Sequence, residues 1–179
     1  MRKIVSGLFI SLDGVVEAPD QWHFPYFNEE MGNAVQSMMD GGEAMLLGRR
    51  TYEEFAAYWP TSTDDIAGRM NGTQKYVVSN TLTSAEWQNS TLVSGDVFKE
   101  LARLKEQPGG KLGVTGSGTL VRSLLREGLL DELHLLVHPI VVGSGKRLFD
   151  DGPQVPLRLT DSQTFSTGVL YLTYERADS

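Results

Sequence analysis

The chain has 179 residues, 40% of them hydrophobic, a formal net charge of −7 and a sequence pI near 4.9. That length supports one well-formed core, so a single domain over 1–179 is expected, and an acidic surface repels nucleic acid and anionic membranes at long range. Cysteine is absent, which excludes disulfides, thiolate metal sites and a cysteine nucleophile and fits the cytoplasm.

The opening apolar run ends by Asp13, too short and too β-branched for a signal peptide or a membrane span, so a soluble, cytoplasmic protein is expected. Arg2 to Ile10 reads as a buried first strand, closed by the turn-prone Asp13-Gly14 and a loop through Pro19 and Pro25. From Asn28 to Met39 the apolar residues Met31, Ala34, Val35, Met38 and Met39 recur at helical spacing, with Asn28 as N-cap and Gly41-Gly42 as the stop. Ala44 to Leu47 is a strand turning at Gly48 into a helix that begins at Arg49 and packs Tyr52 and Phe55 on one side.

Lys75 to Ser79 and Thr91 to Val93 read as strands, and Val97 to Glu106 as a helix ended by Pro108-Gly109-Gly110. A fifth strand, Leu112 to Thr115, runs through Gly116-Ser117-Gly118 into a helix from Thr119 to Glu127. Glu132 to Val142 alternates like a strand, and Arg158 to Phe165 with Val169 to Tyr174 flank Ser166-Thr167-Gly168 as a hairpin. Strands alternating with helices predict an α/β fold with a mostly parallel sheet covered on both faces and an antiparallel edge.

Two strand-to-helix turns suit anions. At Gly48-Arg49-Arg50-Thr51, free helix N-terminal amides stand beside two guanidinium groups; the competing reading is a solvated arginine pair at an ordinary helix start. At Gly116-Ser117-Gly118-Thr119, glycines let the backbone approach a pyrophosphate, or merely make a tight connection. The loop Ser11 to Val15, including Asp13, lies after the first strand where it can cover a ligand, or is an ordinary turn. No metal site is expected, because His23, His134 and His138 lack ligand spacing and read as structural. Trp22, Phe24, Tyr26 and Phe27 offer an aromatic-ring pocket, or core and lid packing.

In order along the chain, Ser11-Leu12-Asp13-Gly14, Leu46 to Tyr52, Lys75 to Leu82 and Gly116 to Leu120 resemble the dihydrofolate reductase-like superfamily. The stretches Gly128 to Leu133 and Pro139 to Phe149 resemble in particular the reductase domain of bacterial riboflavin biosynthesis, the RibD C-terminal type. The resemblance implies a three-layer α/β/α fold with an eight-stranded sheet, NADPH as cofactor, and a homodimer.

On that resemblance Gly48, Arg49, Arg50 and Thr51 meet the adenosine phosphates, with Arg49 or Arg50 on the 2′-phosphate. Ser79, Asn80 and Thr81 face the adenine end, Gly116, Ser117, Gly118 and Thr119 the pyrophosphate, and the nicotinamide lies near Ile10 and the Asp13 loop. Glu30 or Glu29 is implied as the proton donor, provided its carboxyl is partly buried and its pKa raised, and Asp13 is a further catalytic candidate.

Two signatures depart from the pattern. The arginine that clamps the folate tail is replaced by Gly72-Thr73-Gln74-Lys75, and the glutamate of riboflavin-pathway enzymes by Thr115. The implied activity is therefore hydride transfer to a C=N or C=O bond of a pterin-like or pyrimidine-like heterocycle. A non-catalytic NADPH-binding module and a structural dimer are the alternatives.

Overall fold

A computed structural model describes residues 1–177; the last two positions of the expected 1–179 unit, Asp178 and Ser179, lie outside the described residues. The strands are β1 (Ile4–Ser11), β2 (Gly42–Gly48), β3 (Gln74–Val78), β4 (Ser90–Val93), β5 (Lys111–Gly116), β6 (Glu132–His138), β7 (Leu157–Thr164) and β8 (Leu170–Arg176). The helices are α1 (Glu29–Met39), α2 (Arg49–Tyr58), α3 (Ala67–Gly72), α4 (Val97–Glu106) and α5 (Gly118–Arg126). The eight strands form one sheet in the order β4-β3-β2-β5-β1-β6-β8-β7, parallel from β4 to β6 and antiparallel at β8 and β7.

Side-chain alternation along the strands divides the core between the two faces. Ala44 and Leu46 of β2, with Ile4, Leu112, Val114, Leu133 and Leu135, pack under Leu101 and Leu104 of α4 and Leu120, Val121, Leu124 and Leu125 of α5. Met45 and Leu47 point the other way, to Tyr52 of α2, Met70 of α3 and Trp87. On that same side α1 lays Met31 and Ala34 over Leu136, Phe165, Val169 and Tyr171. A fully buried Leu such as Leu46 or Leu124 contributes about 1.5–3 kcal/mol relative to exposure. The result is the expected α/β/α sandwich.

Asn28 caps α1 by accepting from the Met31 amide at 2.9 Å. The hairpin closes as expected, with Gly168 at φ +89° and its amide on Phe165 O. Two expectations need correction. β6 ends at His138 rather than Val142, because Pro139 has no N–H for a ladder and the amides of Val142 and Gly143 are taken by Asp13 instead. The short helix α3 was not foreseen; it carries two glycines and forms against Trp59–Thr61, a tertiary packing that overrides weak propensity.

Candidate functional site

The sheet changes winding direction around β2, β5 and β1, and the carboxyl ends of these strands open a crevice where α/β folds of this kind take ligands. A cleft of about 390 Å³ lies there, between the first turns of α2 and α5 and the loop after β4; its walls include Gly48, Arg49, Asn80, Gly95, Ser117 and Thr119.

The two turns interlock. A Cβ on Gly48 would lie 3.1 Å from Ser117 Oγ, and one on Gly116 would lie 2.8 Å from Thr51 Oγ1, so each glycine admits the opposite turn. Ser117 Oγ accepts from the Leu120 amide at 3.3 Å and caps α5; the Gly116–Ser117 peptide bond is cis. The first turns of two helices thus border one cleft, which places partial positive charge at its wall.

The third wall includes Val78 and Asn80, in the turn that Ser79 and Thr81 shape. Ser79 is buried, and its hydroxyl oxygen accepts from the amides of Thr81 and Leu82, both at 3.1 Å, so it shapes the turn. Asn80 Oδ1 accepts from the Gly95 amide at 2.6 Å and draws the loop after β4 to the cleft. At the mouth, Arg49 pairs with Glu53 at 3.1 Å with both side chains about half exposed, and Arg50 is exposed. Asp96, which caps α4 through the Lys99 amide, brings a carboxylate to the same rim. Of the residues singled out by sequence, Gly48, Arg49, Asn80, Ser117 and Thr119 line the cleft, whereas Arg50, Thr51, Gly116 and Gly118 stand in the adjoining turns and Ser79 and Thr81 contribute through turn geometry.

Glu29 and Glu30 are exposed rather than partly buried, and hydrogen bonds lower the pKa of Glu30 and of Asp13 instead of raising it. Glu30 is exposed and accepts from the Ser166 amide at 2.9 Å and the Ser166 hydroxyl at 2.7 Å; these bonds hold its pKa below the ordinary carboxylate value. Glu29 is exposed in the same turn of α1. Asp13 is a clasp: it accepts from Ser11 Oγ at 2.5 Å and from the amides of Val142 and Gly143 at 3.1 and 2.9 Å, with Arg147 at 3.6 Å. Those bonds, Ser11 first, lower its pKa to about 2, so at neutral pH it has no proton to give.

The histidines are placed by hydrogen bonds. His134 lies within 2.9 Å of Tyr171 Oη and 3.0 Å of Glu132 at the far end of β6. His23 and His138, distant in sequence, meet in a buried pair at the carboxyl end of β6. Trp22 and Tyr26 pack edge-on against His138, whereas Phe24 and Phe27 flank His23 and remain exposed. The aromatic segment is thus part packing and part open surface.

This fold and cleft define an α/β protein whose eight-stranded, mostly parallel sheet opens a ligand-sized crevice at its switch point. The chain belongs to the RibD C-terminal domain family, whose model matches residues 2–171. It is 28% identical over 180 residues to YyaP of Bacillus subtilis, an uncharacterized protein, covering 97% of this chain and 94% of that one. YwjB of the same organism, also uncharacterized, is 28% identical across 98% of this chain and 99% of its own.

Among solved structures, a putative riboflavin biosynthesis protein from Shewanella sp. PV-4 superposes with TM-score 0.80 at 21% identity, covering 98% of this chain and 99% of that one. A pyrimidine reductase-like protein of Corynebacterium diphtheriae gives 0.69 at 13% identity, over 99% of this chain and 93% of that one. Dihydrofolate reductase of Enterococcus faecalis, complexed with NADP(H), gives 0.64 at 16% identity, over 98% and 97%.

Proposed function

We propose that this chain is an NADPH-dependent reductase acting on a C=N or C=O bond of a flat pterin-like or pyrimidine-like heterocycle. The observation that carries the reading is the convergence of the α2 and α5 first turns on one cleft lined by Arg49, with Arg50 exposed next to it in sequence. The residues fit a dinucleotide phosphate. Amides of Arg50, Thr51, Thr119 and Leu120 lie in first helical turns, where no intrahelical acceptor serves them, apart from the Leu120 amide already capped by Ser117.

When bound, the reduced nicotinamide supplies the hydride. The protein's part is to hold the phosphates at Gly48 to Thr51 and Gly116 to Thr119, to place the reacting ring beside Ile10 and the Asp13 loop, and to exclude water there. Asp13 keeps that loop closed against Val142 and Gly143, a positional role. Selection of the 2′-phosphate falls to Arg50, whose guanidinium is exposed, and to Arg49 once it leaves Glu53.

Asp96 on the same rim favours a second reading, in which a ribose 2′-hydroxyl donates to its carboxylate and NADH is the cofactor. The described residues hold no helix long and apolar enough to cross a membrane, and with the acidic composition this supports action on small molecules in the cytoplasm. The β7 edge, exposed along most of its length, is the face through which a homodimer would form.

The test is oxidation of NADPH and of NADH by the purified protein across a panel of heterocycles that includes 7,8-dihydrofolate and 5-amino-6-(5-phosphoribosylamino)uracil. Acceptor-dependent oxidation of NADPH supports the reading; binding of NADPH without turnover of any member makes the chain a binding module.

A further inference from the structure

His138, the last residue of β6, lies beside Ser11, the last residue of β1, in parallel register, so it stands at the end of the crevice assigned to the reacting ring. It is fully buried, and its Nδ1 is 2.8 Å from the carbonyl oxygen of Leu136. A carbonyl only accepts, so Nδ1 carries a proton and Nε2 of the neutral ring is the acceptor. That Nε2 lies 3.0 Å from Nδ1 of His23, which must therefore donate. The chain of bonds fixes His23 in one tautomer. Its Nε2, on the side of the ring away from His138, is left as the basic nitrogen and makes no hydrogen bond within the described residues.

The surroundings suit a flat ring. Phe9 stacks on His23 at 4.0 Å, while Phe24 and Phe27, 65% and 54% exposed, stand 5.3 and 5.7 Å from it. Exposed aromatic faces beside a buried imidazole offer stacking area and a proton-carrying group together. The carboxylates near this region, Glu30 and Asp13, are tied to Ser166 and to the Val142–Gly143 amides.

We propose that His23, held in one tautomer by His138, is the catalytic proton donor to a flat heterocycle stacked against Phe24 and Phe27. This rests on the reductase reading above. The acceptor carbon takes a hydride from the reduced dinucleotide, the C=N π pair becomes the nitrogen's bond to the proton released from Nε2 of the His23 imidazolium, and water reprotonates the ring. Nδ1 of His23 stays bonded to His138, which is a positioning residue.

Burial, then the neighbouring His138, push the His23 pKa below the ordinary 6.5, and burial does the same to His138. His138 from β6 is the titratable group in contact with His23, and the Tyr26 phenol faces His138 from the other side; Phe9, Trp22, Phe24 and Phe27 bring no charge. Turnover should thus fall as pH rises through a value below 6.5.

The test compares wild type with His23→Asn, His23→Gln and His138→Asn, each first checked for cooperative unfolding and for stabilisation by NADPH. Oxidation of NADPH by 7,8-dihydrofolate, riboflavin and 5-amino-6-(5-phosphoribosylamino)uracil is followed from pH 5 to 8.5, alongside ring-nitrogen NMR of the free protein. The His23 variants should keep the NADPH stabilisation and lose about 10²–10⁴-fold in turnover. The wild-type pH limb should coincide with the NMR titration of His23 Nε2, and His138→Asn should move that limb.

Overturning results are a folded His23 variant with wild-type turnover, a wild type that binds NADPH yet reduces none of the three, or a neutral His23 carrying its proton on Nε2. A wild type that NADPH does not stabilise refutes the reductase reading itself and this proposal with it.

Discussion

Gly116 lies against Thr51 so closely that a Cβ on the glycine would sit 2.8 Å from the threonine hydroxyl oxygen, which joins the first turns of α2 and α5 into one unit. Gly116→Ala should destabilise the protein by about 1–3 kcal/mol through overpacking and weaken NADPH binding, since the two turns must part. Thr51→Ala removes the atom in conflict, so the double variant should recover much of the lost melting temperature. Thermal unfolding of the four proteins measures the coupling directly.

Arg49, which lines the cleft, and the exposed Arg50 beside it should distinguish the two dinucleotides. Loss of hydrogen bonds to a charged phosphate costs about 1.5–3 kcal/mol, so Arg50→Ala combined with Arg49→Ala should weaken NADPH by roughly 10- to 150-fold and leave NADH nearly unchanged. Titration calorimetry with both dinucleotides checks this. Asp96→Asn gives the converse outcome if its carboxylate serves a ribose hydroxyl.

What the sequence disclosed follows from how local each signal is. Ala44 to Gly48 was legible because a buried strand running into a glycine turn and a helix needs only neighbouring residues, and Asn28 and Ser117 are caps read within three positions. The His23–His138 contact spans 115 positions and has no local signature beyond a histidine ahead of Pro139 and another among aromatics. Lys75, placed by the sequence only as the first residue of a strand, is fully buried, with Nζ donating to Asn71 O and Gln88 O and lying over Trp87. Glu30 and Asp13 have the right residue type for acid chemistry; Ser166, which lowers the pKa of Glu30, lies 136 positions away, and the Val142–Gly143 amides that add to the effect of neighbouring Ser11 on Asp13 lie 129 and 130 positions away.

Asp13 ties the loop after β1 to Val142 and Gly143, and its pKa of about 2 lies below the ordinary 3.8. A depressed carboxylate stabilises the fold above its unfolded pKa and loses that contribution as pH falls through the folded one. The amides of Val142 and Gly143 should therefore be protected from exchange at neutral pH and lose protection between about pH 4 and 2. Asp13→Ala should expose both amides at every pH, as hydrogen exchange would show.

Lys75 carries the opposite sign. Burial lowers its pKa from 10.5 to about 8, so in the charged form it opposes folding. Between pH 8 and 10.5 the unfolded chain binds the extra proton, and the lysine's unfavourable contribution is relieved as pH rises. Lys75→Met removes this dependence. The stability of wild type relative to the methionine variant should rise across that interval, measured by urea unfolding at successive pH values.

Whether this cleft holds a dinucleotide by its 2′-phosphate is tested by thermal unfolding in parallel titrations of NADPH and NADH. A ligand that binds only the folded chain raises its apparent stability, by about 2.7 kcal/mol at a hundredfold excess over Kd. The melting temperature should climb with NADPH and change little with NADH. No shift with either dinucleotide at millimolar concentration would contradict such binding.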